Sequence, residues 1–304
     1  DRLEAAKASV SLRFSTATAA TAAIVIPAGT AARVPGKTIR YVTLADATIP
    51  IGGTYVDALA AADLAGVAGN TGSSTITELA GSVSGVSAVT NPSPVLNGRD
   101  AETDADRLSR FRAYVSSLAR GTVSAVLYGA KSASLKDSLG QVYEYAAMAA
   151  LQEPWLTNPA QPVGLVNVYV HNGASATSPA LVAEAQRVID GYYKLDGTPV
   201  PGWKAAGVKA VVAAASDLLT PVTGTVQVDP SYAQPAVLAE AQSAIRLYVQ
   251  GLGVGAPVVK AELIAIVKRD VPGVMNVHLS LPADDVSVAI SQKALPGAIT
   301  LTAA

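Results

Sequence analysis

Between residues 10 and 90 the sequence runs in short β-type stretches, SLRF, AAIVIP, TIRYVTL, TYVDAL and STITEL, separated by Gly, Pro, Asn and Asp, as at Pro27-Ala28-Gly29 and Gly52-Gly53. Val, Ile, Thr and Tyr suit a pleated, half-buried surface, and turn residues at this regular spacing fold such stretches back on one another. Residues 1–92 are therefore expected to form an antiparallel β-sandwich or barrel-like domain.

At Asn91-Pro92-Ser93-Pro94 two prolines fix φ and remove two backbone donors, which marks a linker. The pattern then turns helical. Thr103 is placed to cap a helix, with Asp104 and Asp106 in the first turn, where the helix dipole favours carboxylates. In the run RLSRFRAYVSSL that follows, Leu108, Phe111, Val115 and Leu118 fall at i, i+3, i+7 and i+10, one apolar stripe. A second helix is expected over residues 123–134, so residues 93–136 read as linker and helical segment.

From Gly140 onward strands and helices alternate: QVYEYAAM, LVNVYVH, a helix from Pro179 to about Tyr193, and VKAVVAA. A strand GTVQVD then leads into a helix from Pro235 to about Val249. Residues 180–189 (ALVAEAQRVI) align with residues 236–245 (AVLAEAQSAI), and Tyr192 follows the first as Tyr248 follows the second. Two related strand-helix units, an internal duplication, are the simplest reading. KAELIAIVK reads as a short helix before Pro272-Gly273, and VMNVHLSL, VSVAI and AITLT as closing strands. The expected fold is α+β and multidomain, with a first α/β unit over residues 137–218 and a second, ending in strands, over 219–304.

With 304 residues, 50% hydrophobic and 15% charged, the chain can bury two or three cores. A net charge of -1 with 22 scattered basic residues builds no cationic field for nucleic acid or an anionic membrane. The mean hydropathy of +0.34 comes from small residues, and the longest apolar stretches, 205–215 and 254–267, are broken by Lys209 and Lys260, too short to span a bilayer. The absence of cysteine excludes disulfides and thiolate chemistry. Aromatics at 5% favour thin elements and subunit contacts over an aromatic-lined substrate pocket. The opening DRLEAAKASV lacks a starting Met and a signal-peptide pattern, and reads as the tail end of a helix with a segment ahead of it.

Residues that could carry chemistry are sparse. His171 and His278 stand about a hundred residues apart, without neighbouring ligands for a metal or a triad, and read as surface or strand-face residues. Asp100, Glu102, Asp104 and Asp106 alternate as hard-cation ligands can, but the spacing lacks the glycine and distant glutamate of an EF-hand. A turn at Asn97-Gly98 and an acidic helix start, paired with Arg107, Arg110 and Arg112, is the preferred reading. The glycine clusters at Gly66 to Asn70 and Gly251 to Gly255 continue into no phosphate-binding motif and read as turns. Tyr143 and Tyr145 share a strand face, and Tyr192-Tyr193 close a helix; all four suit subunit contacts or the edge of a core. No Gly-x-Ser-x-Gly elbow supports a hydrolase.

The order of these segments resembles the baseplate J family of contractile phage tails. The resemblance runs through Ile26-Pro27-Ala28-Gly29-Thr30, Gly66, Gly69-Asn70 and Val89-Thr90-Asn91 to Gly98-Arg99-Asp100-Ala101-Glu102-Thr103-Asp104, then Arg110, Gly121-Thr122, Tyr128 and Pro272-Gly273-Val274. The Gly-x-Asp-x-Glu-Ser/Thr-Asp stretch is its strongest element. The chain departs from the usual pattern with Asn97 in place of a second glycine and Thr103 for serine, both of which keep turn and cap chemistry.

The resemblance implies a structural role without catalysis: a wedge subunit that links wedges into a ring around the hub and takes part in the change that triggers sheath contraction. Its partners would be other copies of itself and other wedge, hub and tail-tube proteins. No nucleic acid, membrane insertion, small-molecule substrate, cofactor or metal is implied. Its place would be the virion tail baseplate, assembled in host cytoplasm. The candidate inter-subunit contact motif is Gly98, Asp100, Glu102, Thr103, Asp104, Arg107, Arg110 and Arg112. The competing readings are an extracellular adhesin or receptor-binding module, and the wedge component of a tailocin or type VI-like apparatus.

Overall fold

In the computed structural model, which describes residues 2–304, the punctuated N-terminal stretch forms β1 (Lys7–Ser15), β2 (Ile24–Ile26), β3 (Ala31–Arg33), β4 (Arg40–Thr43), β5 (Ala47–Ile49), β6 (Tyr55–Ala65), β7 (Glu78–Leu79) and β8 (Ala88–Thr90). Six of these make one antiparallel sheet in the order β7-β3-β4-β6-β1-β8, while β2 pairs with β5. The edge strands β7 and β8 come together, so the sheet curls into a nearly closed barrel. Large residues of β1 face small ones of β6: Leu12 pairs with Ala58 and Val10 with Ala60. That complementarity lets the tight curve fill without overlap, and Phe14, Ile26, Tyr41, Ile49, Ile76 and Val89 complete the interior.

From Arg2 onward the opening residues are not the end of a helix; Lys7–Ser15 is a strand, and Ala6 bridges to Arg99. Alanine serves a different purpose than helix propensity: Ala8 is fully buried, and a methyl group added at Gly69 would lie 2.9 Å from its Cβ. The expected linker from Asn91 to Pro94 is bonded to the barrel. The Asn91 side chain accepts from the N–H groups of Thr75 and Ile76, both at 2.9 Å, and donates to the carbonyls of Gly72 and Ser93. Val95 then exchanges backbone bonds with Thr71 and enters the barrel core. The amide of Asn91 supplies the bonds that the prolines cannot.

The remainder of the first compact unit, which ends at Ala213, holds α1 (Asp104–Ser116), α2 (Val123–Lys131), β9 (Ser134–Lys136), β10 (Val142–Tyr145), β11 (Met148–Gln152), α3 (Pro154–Thr157), β12 (Leu165–His171), α4 (Pro179–Asp190), β13 (Gly191–Tyr193), β14 (Pro199–Pro201) and all but the last residue of β15 (Lys209–Ala214). The expected second helix stops at Lys131, where the Ser132 N–H closes on the Tyr128 and Gly129 carbonyls. QVYEYAAM is two strands, β10 pairing with β9 and β11 with β12. The helix from Pro179 ends at Asp190 because Gly191 takes φ 86, which sends Tyr192 and Tyr193 into a hairpin. Leu181, Ala185 and Ile189 of α4 pack with Val168, Val170, Ala210 and Val212 of the sheet β11-β12-β15. His171 is buried, and its Nδ1 accepts from the Gly173 N–H. His278 is exposed on its strand.

The second unit, from Ala214 to Ala304, contains β16 (Ser216–Val228), α5 (Gln234–Gly251), α6 (Lys260–Asp270), β17 (Val274–Leu281) and β18 (Gln292–Ala303). Its sheet runs β17-β16-β18, with β16 antiparallel to β17 and parallel to β18. VSVAI is not a strand: Val286 alone bridges to Val258, and the chain then turns to start β18. Of the buried residues of α5, Val237, Ala241 and Ile245 stand at the positions that Leu181, Ala185 and Ile189 hold in α4, and Val249 adds a further turn. Each of these helices follows the central strand of a three-stranded sheet, so the repeat seen in the sequence recurs in packing. No helix among the described residues is long and apolar enough to cross a membrane.

Candidate interaction site

The residues from Asn97 to Arg112 lead the chain out of the barrel and into α1. Asn97 is buried; its Oδ1 accepts from the Ser9 N–H at 2.8 Å and its Nδ2 donates to the Ser9 hydroxyl at 2.6 Å. Gly98 exchanges bonds with the Asn70 amide, donating its N–H at 2.8 Å and accepting at 3.1 Å. A methyl group on Gly98 would sit 2.5 Å from the Gly66 carbonyl oxygen, so only glycine allows the two segments to cross this closely. Arg99 pairs with Ala6 through the backbone, and its guanidinium lies 4.4 Å above the Tyr145 ring. Asp100 accepts from the Val67 N–H at 2.9 Å.

Glu102 is the centre of this stem. Its side chain is 5% exposed and meets Arg110 through two bonds of 2.7 and 2.9 Å, while its Oε2 also accepts from the Leu3 N–H at 3.0 Å. Arg110, then the Leu3 N–H and the charge of Arg107, holds the Glu102 carboxyl down to about 2 against burial, which would raise it. Thr103 caps α1 by accepting from the Asp106 N–H at 3.2 Å and donating to its carboxylate at 2.6 Å. Asp104 pairs with Arg2.

On the far side of Arg110 the contacts become aromatic. The Tyr128 ring lies 5.9 Å from Tyr114 and 5.1 Å from Trp203. Arg120 covers Trp203 at 3.3 Å, and the Gly121 N–H donates to the Trp203 carbonyl at 3.0 Å. Gly129 allows this approach, because a methyl group there would stand 2.4 Å from the indole.

Of the eight residues expected in an inter-subunit motif, the structure brings Gly98, Asp100, Glu102, Thr103, Asp104 and Arg110 into bonds within the chain. Arg107 and Arg112 face solvent. The acid cluster serves as cap and ion pair, and no group of acidic or histidine side chains able to hold a metal occurs among the described residues. The sequence reading did not anticipate Trp203, Ser9 or the backbone pairing of Leu3 and Ala6 with this stem. The one local signal for Trp203 is Gly129, whose lack of a side chain leaves room for the indole.

α1 itself buries no side chain. Its apolar stripe is in water: Leu108 is 51% exposed, Phe111 58% and Val115 48%, and Leu118, just past the helix end, is 51% exposed. A cleft of about 690 Å³ elsewhere in the barrel unit, between residues 21–30 and 82–85, is lined without any ionisable side chain.

Residues 11–98 match the family described as Baseplate J-like protein barrel domain, and residues 220–302 match the Baseplate J-like protein C-terminal domain. Together the two matches span more than half of the chain. No curated protein matches it. Among solved structures it is similar to a chain in the cryo-EM structure of the anti-feeding prophage baseplate, 6-fold symmetrised. Identity there is 12%, the alignment covers 96% of this chain and 76% of that one, and the TM-score is 0.36.

Proposed function

Because the chain belongs to the baseplate J-like proteins, we propose that this baseplate component is a wedge subunit that links wedges into a ring around the central hub. The observation that carries the reading is the pair of family matches, barrel domain first and C-terminal domain last, in one chain. In this reading the protein is non-enzymatic and works through contacts with copies of itself and with wedge, hub and tube proteins. Contraction requires two inter-subunit packings of similar free energy, with the trigger favouring one. The four-segment division of the chain and the contact role of residues 98 to 112 belong to the same proposal. The stem at Glu102 would then serve to aim α1 outward as a fixed projection. Assembly of particles from which this chain alone is deleted tests the reading: tubes and sheaths without a closed distal plate, restored by complementation, are expected. Complete and contractile tails in its absence would overturn it.

A further inference from the structure

A 13-residue helix that buries nothing has little stability of its own in water, yet α1 is fixed by the Thr103 cap and the Glu102–Arg110 pair. Arg110 and Tyr114 turn toward Tyr128 of α2, and Ser117 beyond them is buried. The remaining face carries the apolar stripe. Leu108 and Val115 take a positions of a heptad and Phe111 the d position between them, the spacing of a coiled-coil seam, while Leu118 follows just past the helix end. All four are about half exposed, and Arg107 (g) and Arg112 (e) stand exposed on either side.

We propose that α1 is the docking seam for an amphipathic α-helix of another protein, with an apolar a/d stripe flanked by carboxylates. Charge selects this occupant. A second copy of α1 would bring arginines and the neutral Tyr114 to the flanks, with no carboxylate to meet Arg107 or Arg112. A helix with Glu at e and g satisfies both arginines while its Leu or Ile side chains cover Phe111 and its neighbours. The inference rests on the baseplate reading only for where such a helix comes from, namely an adjoining baseplate protein; the seam itself is defined by α1.

The test uses the full chain and two labelled synthetic three-heptad peptides with Leu and Ile at d and a, one with Glu at e and g, the other with Lys. Fluorescence anisotropy should show the Glu peptide binding at least tenfold more tightly. Phe111→Ser should weaken that binding at least tenfold, and Arg107→Glu/Arg112→Glu should reverse the preference, with circular dichroism and thermal midpoint unchanged in Phe111→Ser because the side chain is exposed. Equal binding of both peptides, binding of neither, or insensitivity to Phe111→Ser would overturn the proposal. So would self-association in sedimentation that Phe111→Ser abolishes and the Glu peptide does not compete. Failure here leaves the deletion phenotype untouched, so the two readings fall separately.

Discussion

Lys293 lies within β18 with no solvent exposure, and its ammonium donates to the Val249 carbonyl at 3.0 Å, in the last turn of α5, and to the Ala294 carbonyl at 2.6 Å. The C-terminal end of a helix is a favourable place for a cation. Burial nevertheless dominates: it lowers the Lys293 pKa from 10.5 to about 8, with Asp217 opposing it. The folded state therefore binds the proton less tightly than the unfolded chain does. Between pH 8 and 10.5 the unfolded state holds more protons, so stability rises with pH across that window and is flat below it. At 1.36 kcal/mol per unit the full effect is about 3 kcal/mol, of which roughly 2.5 kcal/mol falls between pH 7 and pH 10. Urea denaturation followed by circular dichroism at pH 7, 8, 9 and 10 reads it as a rising midpoint. Lys293→Met, with a similar apolar stem and no charge, should lose the rise and gain stability at pH 7, less the roughly 1 kcal/mol of an unmade bond to Val249. A wild-type midpoint that is flat or falls over this range, or a variant with the same slope, would refute the reasoning.

Further expectations concern the first unit. Burial raises the Tyr41 hydroxyl, which donates to the Gly69 carbonyl at 2.6 Å, to about 12, so above pH 10 the unfolded chain ionises first and the barrel should loosen; Tyr41→Phe should remove that alkaline loss in the same titration. The depressed carboxyl of Glu102 contributes stability that is present above about pH 4.5 and lost as pH falls toward 2; the hydrogen-exchange protection factors of α1 amides, corrected for the intrinsic rate at each pH, should fall tenfold or more on acidification, and at neutral pH in Glu102→Gln. Gly129→Ala should destabilise by about 1–3 kcal/mol through overlap with the Trp203 indole, visible as a shift in tryptophan emission. Glu144→Ala should cost about 3 kcal/mol or more in thermal or urea unfolding, since the buried carboxylate accepts from Asn172 and from both the N–H and the hydroxyl of Ser178 at the start of α4.

What the sequence made legible followed from local chemistry. The barrel strands, the Thr103 cap, the two Ala-Glu-Ala-Gln helices and the Glu102–Arg110 pairing could all be read from residues within a few positions of one another. Non-local partners were hidden. Alanines 6 and 8 look helical until the glycines at 66, 69 and 98 are seen crossing beside them, and Asn91 looks like part of a loop until its amide is found bonded across the barrel mouth. VSVAI has strand composition, but pairing partners exist for Val286 alone. The apolar stripe of α1 was visible as a stripe. Whether it faced a core or solvent depends on the stem that aims the helix, and that stem is assembled from residues up to about a hundred positions apart.

The central claim is a place in the distal baseplate. Gold-labelled antibodies against this chain, imaged on intact particles from the source culture, test it most directly. The account predicts label at the distal end of the tail. Label confined to fibre tips, or protein found free of particles altogether, would contradict it.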